Sequence, residues 1–154
     1  MIRPILIVII TVGLFVSCDL GVVFDSNQEL KGASWSSDEH CVFEFETQDT
    51  ISAFNMYFNL RNLKTYPYSN LYVFYHTYLP NGQYDLDTLQ FIIAEPNGKW
   101  IGDVSGSIVS NQILFRRKFR FPQAGKYRFE IEQAMRNQEL TGISDVGLRI
   151  EKFQ

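Results

Sequence analysis

Phe54, Met56, Phe58 and Leu60 alternate with Asn55, Tyr57, Asn59 and Arg61. A period of two over eight residues predicts a strand with one buried face. The same alternation sets Tyr127, Phe129 and Ile131 against Lys126, Arg128, Glu130 and Glu132, and Val146, Leu148 and Ile150 against Gly147, Arg149 and Glu151. Residues 40–47 place Cys41, Phe43 and Phe45 opposite Glu44 and Glu46. Residues 70–79 are apolar on both faces and rich in Tyr, as suits a central or doubly covered strand. Residues 87–95 and 107–121 supply two more strands, and Arg117 interrupts the second, which predicts a bulge or bend there.

Turn chemistry separates these runs. Pro80-Asn81-Gly82 and Pro96-Asn97-Gly98 put Asn-Gly where a positive φ is needed, and Pro122-Gln123-Ala124-Gly125 precedes the next strand. Seven strands with such spacing predict an all-β fold, a single β-sandwich of immunoglobulin-like or jelly-roll-like layout. One stretch reads as helical: residues 132–140, EQAMRNQEL, are good helix formers ending at Thr141-Gly142.

The longest apolar run stands apart from this pattern. Met1-Ile2-Arg3 is a short positive start, residues 4–16 are an apolar stretch, and Ser17 is a small residue before Cys18. A spanning helix needs about 20 apolar residues, and Ser17, Cys18 and Asp19 end this run well before that. Residues 1–17 are read as a signal peptide. Phe15-Val16-Ser17-Cys18 resembles a bacterial lipobox, which makes Cys18 the acylated first residue of the mature chain. The alternative is an ordinary signal peptide in which Cys18 is incidental. Each buried CH2 of a lipid chain contributes about 0.8 kcal/mol, so several acyl chains hold a protein to a bilayer. Residues 18–35, rich in Gly, Ser, Asn, Asp and Gln, read as a lipidated tether, and residues 36–154 as the sandwich domain.

Losing Arg3 with the signal takes the basic residues from 14 to 13 against 17 acidic ones, a formal charge of −4. That mild acidity, with export, argues against nucleic acid as a partner. Chemistry-bearing clusters are scarce. His40 adjoins Cys41, but neighbours on a strand point to opposite faces, so no Cys-His dyad is expected. His76 lies among Tyr72, Phe74 and Tyr78. With Cys18 acylated, Cys41 is left without a pairing partner and is expected to be buried. No set of metal ligands stands at the expected spacing, and Asp85-Leu86-Asp87 lacks the rest of a calcium loop. Nucleophile-elbow, phosphate-loop and dinucleotide patterns are absent. No enzyme, no metal and no cofactor beyond the Cys18 lipid is expected.

Three features suit binding. Arg116, Arg117, Lys118 and Arg120 interleave with Phe115, Phe119 and Phe121, either as a positive stripe or as charges paired with Glu130 and Glu132. Trp35 and Trp100 sit beside turn residues and are candidate sugar-stacking rings, or lids over the core ends. The tyrosines of residues 65–79 suit an interface or a sheet-covering layer.

Residues 60–75 (LRNLKTYPYSNLYVFY), 86–102 (LDTLQFIIAEPNGKWIG) and 121–152, together with the lipobox, resemble the gliding-motility lipoprotein H family (GldH) of Bacteroidota. The most specific pieces are Gln133-Ala134-Met135-Arg136 and Gly142-Ile143-x-x-Val146-Gly147. The resemblance implies a cell-envelope lipoprotein linked to gliding and to type IX secretion, placed in the outer membrane facing the periplasm or the surface. It brings no catalytic residues. The expected function is docking with envelope motility or secretion proteins through Gln133, Met135, Arg136, Ile143 and Val146, with the bilayer engaged through Cys18. The alternative is a glycan- or lipid-binding sandwich module using Trp35 or Trp100.

Overall fold

A computed structural model describes residues 21–154. Cys18 and the signal segment lie outside them. Eleven strands follow in chain order: β1 (Val22–Glu29), β2 (Ser34–Ser36), β3 (Cys41–Thr47), β4 (Phe54–Leu63), β5 (Asn70–Tyr78) and β6 (Tyr84–Ile92). The remainder are β7 (Asp103–Ser105), β8 (Ile108–Phe119), β9 (Gly125–Gln133), β10 (Glu139–Thr141) and β11 (Ile143–Lys152). A 3-10 turn at Lys31–Ala33 is the one helical element among the described residues.

The strands form an antiparallel sandwich. One sheet has the order β1-β11-β4-β8-β7, the other β3-β9-β5-β6, and β2 pairs with β10 as a short ribbon. Every predicted strand is present. Their apolar faces meet between the sheets: Phe54, Met56, Phe58 and Leu60 of β4 and Val146, Leu148 and Ile150 of β11 bury with Tyr127, Phe129 and Ile131 of β9 and Val73 and Tyr75 of β5. Rings do much of the filling. Phe58 stacks on Phe91 at 4.3 Å, and Phe121 meets Phe45, Phe54, Phe119 and Tyr127 within 5.2 Å. Burying such a ring fully is worth roughly 1.5–3 kcal/mol relative to leaving it exposed.

The bulge expected at Arg117 occurs. The β4–β8 register shifts where Phe54 faces Phe119 and Met56 faces Arg116, and Lys118 takes a φ of 53°. The Asn55 carboxamide oxygen accepts the Lys118 backbone N–H at 3.3 Å, which holds the bulge.

Two expectations fail. Residues 18–35 are not a tether throughout, since β1 pairs with β11 from Val22 onward, Leu30 is buried, and Trp35 in β2 is 0% exposed. Backbone ladder bonds and two anchor side chains fix a segment whose polar composition hides any period, because only one side of β1 is even partly covered. Residues 132–140 form no helix. β9 runs on to Gln133, a turn follows, and β10 pairs with β2. Leu140 is buried opposite Trp35, so tertiary burial outweighs the helix propensity of the segment.

Candidate functional site

The turn after β9 is built by one side chain. Gln133 is 3% exposed, its Nε2 donates to the Asn137 carbonyl at 2.7 Å, and its Oε1 accepts the Met135 N–H at 2.9 Å. Gln133 therefore shapes the turn from inside and presents no surface of its own. The Ala134 N–H donates to the Tyr72 carbonyl at 2.8 Å, tying the turn to β5. Met135 is half-buried against the core, and its Sδ accepts the Tyr72 N–H at 3.4 Å. Arg136 is exposed. Tyr68 donates its hydroxyl to Asn137 Oδ1 at 2.9 Å. Together Tyr68, Tyr72, Met135 and Arg136 line a hollow of about 480 Å³.

Ile143 and Val146 are fully buried, which corrects their assignment to a partner surface. The glycines beside them explain the motif. Gly142 has φ +94°, and a Cβ there would lie 2.9 Å from Tyr66 Cα. A Cβ on Gly147 would lie 2.8 Å from the Ser26 carbonyl oxygen and 2.0 Å from Asn27 Oδ1, so its absence admits β1 to the sheet.

Trp35 is also withdrawn as a stacking ring. It is sealed in the core, with Nε1 donating to the Glu39 carbonyl at 2.9 Å. Trp100 is half-buried, packs against the core, and lines a shallow hollow with Tyr66, Tyr68 and Pro96. The basic stretch divides. Arg116 bonds Asp87 and lies over the Tyr75 and Phe119 rings, while Arg117 and Lys118 lie over Phe153. Arg120 Nε donates to the Ile51 carbonyl at 3.2 Å. Glu130 is met instead by Arg128 at 2.5 Å.

One cluster has no signature in the sequence, because its members come from four strands or their edges. On the outer face, His40 Nε2 lies 2.6 Å from Glu132 Oε2 and His40 Nδ1 3.1 Å from Glu130 Oε2. His76 Nε2 lies 3.2 Å from Glu132 Oε1, and its Nδ1 2.8 Å from the Tyr84 hydroxyl. The two imidazoles stack at 5.9 Å. The β5–β9 register brings them together by setting His76 opposite Glu130. Among the described residues, no three His, Cys, Asp or Glu side chains are disposed to hold a metal ion. Cys41 faces the core, where burial, helped by the Glu39 charge, pushes its thiol up to about 12.

A family model described as GldH lipoprotein matches residues 22–150. The chain belongs to the GldH lipoprotein family. Among similar GldH proteins, the gliding motility lipoprotein GldH homolog of Christiangramia forsetii is 36% identical over 153 residues, covering 95% of this chain and 93% of that one. Gliding motility lipoprotein GldH of Flavobacterium johnsoniae is 32% identical over 146 residues, covering 90% of each. Solved structures are remote. A VP2 subviral particle of infectious bursal disease virus matches 85% of this chain and 30% of its own at 9% identity and a TM-score of 0.35. A family 16 carbohydrate-binding module matches 77% and 70% at 10% identity and a TM-score of 0.26. In this chain, the Gly142–Gly147 motif serves the fold, while Arg136 is exposed beside half-buried Met135.

Proposed function

We propose that this chain is a non-catalytic envelope lipoprotein, held to the outer membrane through acylated Cys18, that docks with other components of motility and type IX secretion. Kinship with gliding-motility lipoproteins supports the setting. The observation that carries docking is exposed Arg136, on a turn made rigid from within by Gln133, beside half-buried Met135 and the exposed Tyr72 ring of β5. Tyr, Met and Arg are the residue types enriched at interface cores. A rigid turn also spares the ordering entropy that a flexible loop loses on binding.

The test is a mild crosslinking pull-down from native membranes with a tag after Gln154 and Cys18 intact. Motility or type IX secretion components should be recovered with the native chain and lost with Arg136→Ala. A surface change of that kind costs about 0.5 kcal/mol or less, so the melting temperature should stay within a few degrees. An unfolded Arg136→Ala protein, or an unchanged set of captured proteins, would remove Arg136 as a docking residue.

A further inference from the structure

The hollow at Trp100 and the hollow at Arg136 are neighbours, because Tyr68 lines both. The first, of about 320 Å³, is lined also by Pro67, Pro96 and Trp100; the second, of about 480 Å³, by Tyr72, Met135 and Arg136. Three connections supply them. The β4–β5 loop brings Pro67 and Tyr68, the β6–β7 loop brings Pro96 and Trp100, and the turn after β9 brings Met135 and Arg136. Tyr68 is braced where they meet: its ring stands edge-on to buried Tyr66 at 5.6 Å, and its hydroxyl donates to Asn137 Oδ1. Two hollows that share a fixed ring suit successive side chains of one extended segment.

The hydrogen-bonding groups around the hollows are unevenly engaged. The carbonyls of Ser69, Tyr72 and Glu95 already accept backbone N–H groups, and the Asn137 carbonyl accepts Gln133 Nε2. Asn137 Oδ1 takes the Tyr68 hydroxyl, and Glu95 Oε2 takes the Asn97 carboxamide. Two donors stand open. Trp100 Nε1 and the Arg136 guanidinium have no partner among the described residues, and neither is sealed from solvent.

A ligand that matches open donors and apolar rings brings acceptors and few donors of its own. Proline fits that description: it lacks a backbone N–H, and in an extended polyproline segment its carbonyl is left without an internal partner. Aromatic-lined grooves take such segments. Arg136, a cation with no ion pair in the chain, calls for a carboxylate beside them. We infer that the two hollows form one groove for an extended, proline-rich segment of a partner protein that carries an acidic residue. Its prolines lie against Pro67, Tyr68 and Trp100, a proline carbonyl accepts Trp100 Nε1, and the carboxylate meets Arg136. The groove rests on the docking reading and deepens it, since it names the partner's chemistry and adds Trp100 to the contact.

The test titrates the full-length acylated protein in detergent with three blocked peptides by calorimetry: polyproline with one central aspartate, the same peptide with asparagine there, and a glycine–serine chain with the aspartate. Tryptophan emission gives a second readout, because Trp35 is sealed in the core and only Trp100 can report the ligand directly. The aspartate polyproline should bind, its asparagine form about tenfold more weakly, and the glycine–serine chain not at all. Trp100→Phe keeps a ring and removes the N–H, so it should bind several-fold more weakly with a melting temperature within a few degrees of the native one. Arg136→Ala should erase the difference between the aspartate and asparagine peptides. No binding of the aspartate polyproline, equal binding of the glycine–serine chain, or an unchanged affinity in Trp100→Phe would overturn the groove. So would cellobiose shifting the Trp100 emission while no peptide binds. In the membrane pull-down, partners lost with Arg136→Ala but kept with Trp100→Phe would overturn the groove and leave docking in place, whereas partners kept with both would remove the docking reading itself.

Discussion

Cys41 and Gly147 show how much rests on single atoms. The Cys41 thiol is lifted to about 12 by burial, against 9.0 for the exposed group. The folded state therefore holds this proton more tightly than the unfolded chain does. Its contribution is complete below pH 9 and is lost as pH rises from about 9 to about 12. Chemical denaturation across that range should show stability falling from pH 9 in the native protein. In Cys41→Val the onset should move to about pH 10, where the tyrosines of the unfolded chain begin to ionise. An identical onset in both would mean that the thiol is not shielded. Gly147→Ala should cost about 1–3 kcal/mol, the usual range for overpacking, because a methyl there meets the Ser26 carbonyl as well as Asn27. A denaturant midpoint equal to the native one would show that β1 yields easily.

Among the elements, the segment from the end of β9 to β10 departs furthest from its local helix propensity. Gln133→Ala would leave the Met135 N–H and the Asn137 carbonyl without their partners. We expect a loss of about 1–3 kcal/mol and faster hydrogen exchange confined to residues 134–138. A uniform change across the chain would mean that the turn is held by something else. This turn also shows why the pattern was legible in some places and opaque in others. The clearest strands are legible because each has a buried face wide enough to alternate, as in Phe54, Met56, Phe58 and Leu60. β2, β7 and β10 span three residues each, too short for any period, and β1 is covered on one side only in part. Residues 132–140 carry strong helix propensity, yet the deciding facts are the burial of Leu140 against Trp35 and the two Gln133 bonds. Both are long-range or side-chain effects that a local pattern does not encode.

For the molecule as a whole, the sandwich separates structural duties from surface ones. Ile143, Val146 and Trp35, read from sequence as binding residues, belong to the core, whereas Arg136 is exposed and Met135 half-buried. The histidine–glutamate cluster was invisible in the sequence because strands distant along the chain supply its parts. No helix among the described residues is long and apolar enough to cross a membrane, and the proposed anchor, Cys18, lies before them. Under this account Cys18→Ala should yield an uncut, unlipidated precursor, detectable by metabolic labelling with a tagged fatty acid. Normal acylation of that variant would remove Cys18 as the anchor.

The docking claim is tested most directly by placing a photo-crosslinking amino acid at position 136 in living cells, with a second placed at Glu44 on the outer face of β3 as the comparison. The account expects discrete crosslinked bands containing motility or type IX secretion components from position 136 and none of those bands from position 44. Crosslinks of equal pattern from both positions, or none from position 136, would contradict it.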